Sequence, residues 1–482
     1  MSATYSAKSP SRVGADIFVP RPHQIEASEA ILAARKAGRP RFLLGDMTGL
    51  GKTLATWLAL ADMPETEILI VCPKGAVAQW RRTIHLSGSP PRDVTIINYE
   101  RIKSLLNPPA ASVKRSIRAK NNELAKLGTP KRVWPLIVFD EAHRLRNPNS
   151  QQSMVSRQMA DAARFVVYLS ATAGQAPHEL SYLGRLLGHA AGRPTPDLAG
   201  FRDLMKHLRI GKAKGRWKNW KWEANQRDRT VMSDLLYKGS GAIGMRRRPA
   251  DIVGWPEVQR ALGPIALDAR SRRLYDLSWR NFRQELGLAG GSTRRPTGRV
   301  AELRFRQKAS LLRVPGQADF IEDLLWNGHQ VAVSVAFLET GAMIEQVLRD
   351  RGWRVDQING KRRAEENETT RNAYQSDDLD VAIFTVTESI SLHQGELPGG
   401  DRPRAQVIHD MRHSAVQLQQ IEGRSNRDGS GAVVYYTYAE DTVEEAITAR
   451  VVTRMASMDG MAGDDTAMLD EIAQIIEAAA HC

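Results

Sequence analysis

Cysteine is almost absent from this sequence: Cys72 and Cys482 are the only two in 482 residues. Two cysteines cannot form a disulfide framework, and without further ligands they cannot make a zinc site. The sequence also lacks any run of the roughly 18 uncharged apolar residues that a membrane-spanning helix requires. Its first residues, MSATYSAKSPSRVGADIF, contain no apolar segment of the kind found in signal peptides. These absences predict an intracellular, soluble protein, cytoplasmic or nucleoid-associated, with no membrane partner.

Basic residues are in excess, with 68 Lys and Arg against 54 Asp and Glu, which gives a net charge of +14. A surplus of this size attracts polyanions such as nucleic acid, and the alternative is a basic surface without a partner. The length of 482 residues exceeds what one hydrophobic core usually organises, so we expect two compact domains.

Short apolar runs rich in Val and Ile recur along the chain, which is typical of strands buried on both faces of a parallel sheet. They are RFLLGD, EILIVCP, VTIINYE, PLIVFDE, RFVVYLSAT, QVAVSVAF, DVAIFTVT, AQVIHD and AVVYYTY. Helical patterns such as IEASEAILAARKAG fall between them, and this alternation predicts an α/β fold. One group of runs precedes about residue 175 and the other follows about residue 328. We therefore expect two sheet-centred lobes with helical, basic material between them.

The segment GDMTGLGKT ends as a phosphate-binding loop does, but Asp46 stands where the pattern G-x-x-x-x-G-K-[ST] has its first glycine. Gly49 and Gly51 let backbone N–H groups turn towards phosphate. Lys52 is expected to reach the terminal phosphates, and Thr53 offers a hydroxyl to magnesium. Asp46 precedes the tight part of the turn, so it need not destroy the loop. A chance match or a purely structural glycine turn is the alternative.

An acidic pair follows the apolar run in PLIVFDEAH, where Asp140 and Glu141 stand at the carboxyl end of a predicted strand. Adjacent carboxylates suit two tasks, because Asp140 can hold magnesium while Glu141 orients and deprotonates the attacking water. The alternative is that the pair only caps a following helix. Together, the loop and the acidic pair favour ATP hydrolysis.

Arginines near the end of the chain complete the series. The segment QIEGRSNRDG places Gln420, Arg424 and Arg427 in the spacing Q-x-x-x-R-x-x-R. Two arginines on neighbouring turns of one helix face can neutralise charge developing on a γ-phosphate, as arginine fingers do. The alternative is a basic, solvated helix turn.

In their order along the chain, the motifs resemble those of superfamily-two helicases, and specifically those of the Swi/Snf-like DNA translocases. They are RPHQIEA, GDMTGLGKT, VCPKGAVAQW, DEAHRLRNPNSQ, LSATAGQAPHEL, MRRRPAD and QIEGRSNRDG. That family writes the loop as D-E-M-G-L-G-K-T, so Asp46 resembles a family signature. The short APHEL after LSAT is nearest the annealing-helicase branch. The resemblance covers about residues 18 to 450.

The resemblance implies two RecA-like lobes with an ATP cleft between them and a helical insertion between the lobes, acting with ATP and Mg²⁺. The implied cofactor-binding residues are Arg21, Gln24, Thr48, Gly49, Leu50, Gly51, Lys52 and Thr53, with Gln24 reading adenine. Magnesium would be held by Thr53 and Asp140. The residues implied in hydrolysis are Lys52, Asp140, Glu141, Gln420, Arg424 and Arg427.

The same resemblance implies the residues that serve nucleic acid. Ser170 and Thr172 would couple the nucleotide state to DNA contacts. Arg246 and Arg247 would sit at the hinge between the lobes. The implied nucleic-acid contacts are Lys74, Tyr99, Arg246, Arg247 and Thr387, the last within the divergent stretch FTVTESISLHQ.

The order of the motifs along the chain also predicts the domain limits. We expect an N-terminal lobe at 1–244 with a basic insertion at about 191–240, a linker and helical segment at 245–310, and a C-terminal lobe at 311–482. The stretch 205–222 interleaves Lys and Arg with tryptophan. It suits either phosphate contact and base stacking at a DNA junction, or a basic hairpin whose tryptophans fill a gap.

The sequence therefore predicts an ATP-dependent DNA translocase or helicase that acts on duplex or branched DNA without reading its sequence, with roles in DNA repair or recombination. The default oligomeric state is a monomer, and the sequence does not identify a protein partner. Two alternatives stay open: an ATP-dependent RNA helicase, and a nucleic-acid-binding clamp whose ATPase has decayed.

Overall fold

The chain divides into two compact units, one comprising Met1–Asp46 and Gly51–Arg247 and the other Met47–Leu50 and Arg248–Cys482. The predicted domain limits at residues 244 and 310 stay predictions. The structure is a computed structural model that describes residues 19–88, 92–108, 127–171, 173, 177–190, 198–210, 212–214, 219–221, 226–238, 242–255, 257–288, 292–293, 296–385, 390–394, 400–426, 431–457 and 464–481.

A parallel sheet forms the centre of the first unit. The strands of this unit are β1 Arg41–Leu44, β2 Glu67–Cys72, β3 Asp93–Asn98, β4 Leu106–Asn107, β5 Thr129–Pro130, β6 Leu136–Asp140, β7 Phe165–Leu169, β8 Lys212–Lys214, β9 Asn219–Lys221 and β10 Gly244–Met245. Six of them lie parallel in the order β10, β1, β7, β6, β2, β3. The basic stretch contributes β8 and β9, which form an antiparallel ribbon with Lys212 opposite Lys221.

Helices connect the strands of this sheet. They are α1 Pro22–Lys36, α2 Lys52–Ala61, α3 Ala76–Leu86, α4 Gln151–Ala162, α5 Gly184–Ala190, α6 Leu198–His207 and α7 Gln226–Tyr237. Local sequence signals set several of their starts. Pro22 occupies the first turn of α1, where its missing N–H costs nothing. The Ser150 hydroxyl caps α4 by accepting a hydrogen bond from the backbone N of Ser153 at 3.2 Å.

Both faces of the first sheet are buried, which explains its continuous apolar runs. In β6, Ile137 and Phe139 belong to one hydrophobic cluster, while Leu136 and Val138 belong to the other. Because successive side chains of a strand point to opposite faces, every position must be apolar. In the four central strands, charged side chains are therefore confined to the strand ends.

The second unit repeats this architecture. Its strands are β11 Arg260–Ile265, β12 Gln330–Ser334, β13 Val355–Ile358, β14 Val381–Phe384, β15 Arg404–Ile408 and β16 Val433–Ala439, all parallel in the order β11, β16, β15, β12, β14, β13. Its helices are α8 Ala269–Leu288, α9 Pro296–Leu312, α10 Val314–Trp326, α11 Leu338–Asp350, α12 Ala364–Gln375, α13 Ala415–Glu422, α14 Val443–Ser457 and α15 Asp464–His481. The prediction of two sheet-centred RecA-like lobes is confirmed. None of the described helices is long and apolar enough to cross a membrane.

Three of the four edge strands of the two six-stranded sheets were missed by the sequence patterns, whereas the fourth, β3, was predicted. The region between the two groups of runs supplies β10 to the first sheet and β11 to the second, and both lie at a sheet edge. Gly263 and Pro264 interrupt β11, and proline is tolerated in sheets mainly on edge strands. The third missed strand, β13, contains Asp356 and Gln357 and also lies at an edge. Edge strands need less apolar surface, so their sequences resemble loops.

We expect truncation of a core residue to destabilise the first unit. Leu69 in β2 is fully buried, and replacing it with alanine should lower the free energy of unfolding by about 2–5 kcal/mol because a cavity remains. Val133 is 57% exposed, and Val133→Ala is the control, with an expected change of about 0.5 kcal/mol or less. Urea unfolding of both variants measures the difference, and equal midpoints would contradict the described core.

Candidate nucleotide site

Several motifs of the first unit meet at the carboxyl edge of its parallel sheet. β1 ends at Leu44, β6 at Asp140 and β7 at Leu169, and motif residues stand at or directly after each of these ends. Open α/β sheets bind ligands outside this edge. Parallel pairing therefore brings the phosphate loop, the acidic pair and the LSAT segment together, although they are far apart in sequence.

The phosphate loop has the backbone that its glycines predict. Gly49 and Gly51 have φ angles of +96° and +75°, a region that glycine enters without strain. Gly51 is the N-cap of α2, so the loop ends at a helix N-terminus, where N–H groups and the helix dipole favour phosphate. Lys52 Nζ donates a hydrogen bond of 2.7 Å to the backbone oxygen of Asp46. Thr53 follows in the first turn of the helix.

Gln24 lies against this loop. It is 5% exposed in the first turn of α1, and a Cβ at residue 51 would come within 2.0 Å of Gln24 Nε2. Gln24 Oε1 accepts a hydrogen bond of 3.0 Å from the backbone N of Arg21. Residue 51 is thus restricted to glycine by its φ angle and by the glutamine beside it. The adenine contact of Gln24 stays a prediction, as do the nucleotide contacts of Arg21, of the half-buried Thr48 and of the buried Leu50.

Asp46, the unusual residue of the loop, is buried and paired. Only 1% of it is exposed. Its carboxylate accepts hydrogen bonds from the backbone N and from Nη2 of Arg247, at 2.9 and 2.5 Å. Arg247 Nη1 also lies 3.0 Å from Glu26 Oε2. The Arg247 guanidinium therefore pairs with two carboxylates. This pairing does not fit the predicted nucleic-acid contact at Arg247.

Arg246 lies beside an aromatic ring. Its guanidinium carbon is 6.0 Å from the ring centroid of Tyr237, at the outer limit of a cation–π contact. The same ring limits residue 45, because a Cβ at Gly45 would come within 2.6 Å of the Tyr237 hydroxyl. A nucleic-acid contact at Arg246 stays a prediction.

The first carboxylate of the acidic pair is held by two hydrogen bonds. Asp140 Oδ2 accepts from Trp80 Nε1 at 2.9 Å, and Asp140 Oδ1 accepts from the backbone N of Glu141 at 2.9 Å. Burial and the neighbouring Glu141 charge raise the pKa of Asp140 to about 6. Trp80 was missed as a site residue, although it ends the motif VCPKGAVAQW. The only sequence signal for it is a tryptophan in an otherwise polar part of α3.

The second carboxylate stands on a strained backbone. Glu141 has φ +50°, in the left-handed region, which costs a non-glycine residue about 1–3 kcal/mol. His143 Nδ1 lies 3.3 Å from Glu141 Oε2 and 3.3 Å from Ser170 Oγ. The histidine therefore connects the acidic pair with the residue after β7. This connection agrees with a coupling role for Ser170, which stays a prediction.

Tyr99 does not have the exposure that a nucleic-acid contact requires. It is fully buried, and its hydroxyl donates a hydrogen bond of 2.8 Å to the backbone oxygen of Asp140. Burial raises its pKa well above the usual value, so the hydroxyl keeps its proton. Tyr99 thus holds the backbone at the end of β6 through this hydrogen bond. Lys74, by contrast, is exposed directly after β2, and its nucleic-acid contact stays a prediction.

The arginine motif of the second unit differs from the expected helix face. α13 ends at Glu422, so Gln420 lies in the helix and Arg424 lies beyond it. Arg424 is 1% exposed, and its Nη1 donates a hydrogen bond of 2.9 Å to the backbone oxygen of Ile390. The prediction that Arg424 lies on a helix face is wrong, because Gly423 ends the helix before it. Thr172, Thr387 and Arg427 lie outside the described residues.

The residues of the first unit fit a nucleotide with magnesium. The closely packed Gly51, the ammonium of Lys52 and the N-terminus of α2 suit phosphate. Mg²⁺ usually takes one or two carboxylates and completes its shell with waters and phosphate oxygens, and Asp140 with Thr53 would provide such a set. The described part of the chain contains no group of three or more His, Cys, Asp or Glu placed to hold a metal ion. A site completed by phosphate does not need one.

Residues 17–175 match the family model of the type III restriction enzyme res subunit. The chain is 27% identical over 162 residues to the ISWI chromatin-remodeling complex ATPase ISW1 of Saccharomyces cerevisiae, covering 30% of this chain and 14% of that protein. It is 28% identical over 173 residues to a Caenorhabditis elegans homolog of SWI/SNF-related matrix-associated actin-dependent regulator of chromatin subfamily A-like protein 1, covering 35% and 24%. The chain thus spans less than a quarter of the length of either relative.

Among solved structures, the Sulfolobus solfataricus SWI2/SNF2 ATPase core in complex with dsDNA is similar at 16% identity, with a TM-score of 0.36 over 95% of this chain and 98% of that one. At this TM-score the likeness supports no conclusion about function. The two parallel-sheet lobes and the ordered motifs define a helicase-type ATPase fold. Within that class, the partial matches to the family model and to these ATPases support a superfamily-two helicase of the Swi/Snf-like kind. Its place in the annealing-helicase branch stays a prediction.

We expect Gly51→Ala to abolish nucleotide binding. The new Cβ would have to displace Gln24, whose amide lies 2.0 Å away, and the φ of +75° adds strain. Gly38 is a matched control, because its φ is +73° but no atom lies within 4 Å of its Cβ position. Binding of a fluorescent ADP should be lost in Gly51→Ala and kept in Gly38→Ala. Equal binding by both variants would show that the space at Gly51 is not needed.

Trp80→Phe should lower the kcat for ATP by about tenfold, because Asp140 loses a hydrogen bond donor and its position is no longer fixed. Trp57 is the control: it is also fully buried, but its Nε1 donates to Ser87 Oγ at 2.8 Å, away from the acidic pair. Steady-state ATPase rates measure both variants. Equal losses of kcat in Trp80→Phe and Trp57→Phe would indicate a packing effect alone.

Proposed function

We propose that the protein is an ATP-dependent motor that moves on or remodels duplex or branched DNA without reading its sequence. The observation that carries the proposal is the meeting of Lys52, Asp140 and Glu141 at one edge of a parallel sheet. A phosphate-binding lysine and two carboxylates are the set that ATP hydrolysis requires. A decayed ATPase would not be expected to keep all three.

Each residue has a proposed part in hydrolysis. The loop N–H groups and Lys52 bind the terminal phosphates, and Glu141 orients and deprotonates the attacking water. Thr53 and Asp140 hold the metal, with Trp80 fixing the carboxylate of Asp140. Mg²⁺, when bound, would neutralise charge on the phosphate oxygens. From the sequence motif alone, we propose that Gln420, Arg424 and Arg427 act at the γ-phosphate, where the two arginines neutralise its charge.

The charge and the relatives support DNA as the polymer. A net charge of +14 favours a polyanion, and the relatives named above are an ATPase of a chromatin-remodeling complex and a homolog of a chromatin regulator. The exposed Lys74 is a candidate phosphate contact. Contacts to backbone phosphates make binding independent of sequence and strongly dependent on salt. Action as a monomer, and a part in DNA repair or recombination, belong to the same proposal.

ATP hydrolysis by the wild type and by Glu141→Gln tests the function. The rates are measured without nucleic acid and with single-stranded DNA, duplex DNA, forked DNA and RNA at fixed salt. We expect duplex or forked DNA to stimulate the wild type, and Glu141→Gln to lose at least about a hundredfold in kcat because the general base is gone. Glu100→Gln is the control, since Glu100 is exposed and pairs with Arg144 at 3.2 Å.

Other outcomes would revise the proposal in defined ways. Stimulation by RNA alone would make the protein an RNA helicase. Nucleic-acid binding without hydrolysis under any condition would indicate a clamp with a decayed ATPase. A Glu141→Gln variant as active as Glu100→Gln would contradict the assigned general base.

A further inference from the structure

Asp46 and Arg247 form a buried ion pair in which the carboxylate accepts three hydrogen bonds from the arginine. Asp46 accepts from the backbone N of Arg247 at 2.9 Å, from Nε at 3.3 Å and from Nη2 at 2.5 Å. The side chains are 2% and 12% exposed. A buried carboxylate is costly unless it is paired and hydrogen-bonded, and the planar guanidinium satisfies both carboxylate oxygens here.

The same aspartate also holds the phosphate-binding lysine. Its backbone oxygen accepts the hydrogen bond of 2.7 Å from Lys52 Nζ, while its carboxylate is fixed by Arg247. Gly45, the preceding residue, donates from its backbone N to the oxygen of Met245 at 2.7 Å. The start of the loop is therefore attached to the end of β10 through both main chain and side chain.

We propose that Arg247 is a positioning residue for the phosphate loop. Through Asp46 it fixes the backbone carbonyl that holds Lys52, so nucleotide affinity depends on a guanidinium that acts through another residue. The inference rests on the proposed function, because it assumes that the loop binds ATP. It also gives Asp46 a physical reason: the position needs a carboxylate that can accept the arginine.

The neighbouring arginines have other partners in the described structure. Arg248 is the first residue after the first unit and pairs with Asp251 at 3.0 Å, with both side chains more than a third exposed. Arg246 lies over Tyr237. Of these three consecutive arginines, Arg247 is the one whose guanidinium is hydrogen-bonded to Asp46.

Three variants in the full-length chain test the inference: Arg247→Gln, Asp46→Asn and the double substitution. The readouts are the Kd for fluorescent ADP, the KM and kcat for ATP, and the Kd for duplex DNA without nucleotide. Each single variant should raise the ADP Kd by about tenfold, and the double variant should be no weaker than either, because both remove one interaction. DNA affinity should stay within about twofold of the wild type. Arg248→Gln is the matched control, with an unchanged ADP Kd.

Several results would overturn the inference. One is a loss of DNA affinity in Arg247→Gln with the ADP Kd unchanged, which would make Arg247 a nucleic-acid contact. Another is a lower midpoint of thermal unfolding in all three variants together with an unchanged ADP Kd, because this result would mean that the ion pair has a purely structural role. If Arg247→Gln does not fold, Arg247→Lys is measured instead, because lysine keeps the charge and loses the planar fork of the guanidinium. An ADP Kd for Arg247→Lys equal to that of the wild type would contradict the positioning role.

The wild type separates this inference from the proposed function. A wild-type protein that binds no ADP would remove the proposed function, and the inference with it. If the wild type binds ADP, but no more tightly than Arg247→Gln does, only the inference about Arg247 fails.

Discussion

The burial of both faces of each parallel sheet is the constraint on which the rest of the structure depends. A strand such as Leu136–Asp140 has no exposed face on which to carry a polar side chain, so its chemistry can stand only at its end. Parallel pairing then gathers the ends of all strands at one edge. The phosphate loop, the acidic pair and Ser170 meet there because the strands that carry them all end at that edge.

Charged groups at that edge are buried, as Asp46 is, or half-buried, as Asp140 and Glu141 are, and each needs a partner. Asp46 has Arg247, and Asp140 has the indole N–H of Trp80. In a medium of low dielectric constant, an unpaired carboxylate would change its protonation state or move. The partners therefore determine where the carboxylates point. Glu141 adds a strained backbone, which persists only because the surrounding structure holds it. Preorganisation of this kind reduces the reorganisation that hydrolysis would otherwise require.

Sequence patterns predicted the central strands of both six-stranded sheets, but of their four edge strands only β3. β1, β2, β6, β7, β12, β14 and β15 are short apolar runs because both their faces are covered. β11, with its glycine and proline, is an edge strand and lacks that pattern. The arginine motif failed for a different reason. Spacing alone placed Arg424 on the helix of Gln420, but Gly423 ends that helix and turns Arg424 into the core of the second unit.

The sequence alone determined the fold class, the order of the motifs and the residues of the phosphate loop, because these depend on local patterns: apolar runs, glycine positions and adjacent carboxylates. Tertiary structure decided which side chains hold that site. Arg247 is 201 residues from Asp46, and Trp80 is 60 residues from Asp140. Contacts over such separations follow from strand order and sheet register, which no local pattern encodes. The same long-range packing buried Tyr99 beneath Asp140, where the motif alone had predicted a nucleic-acid contact.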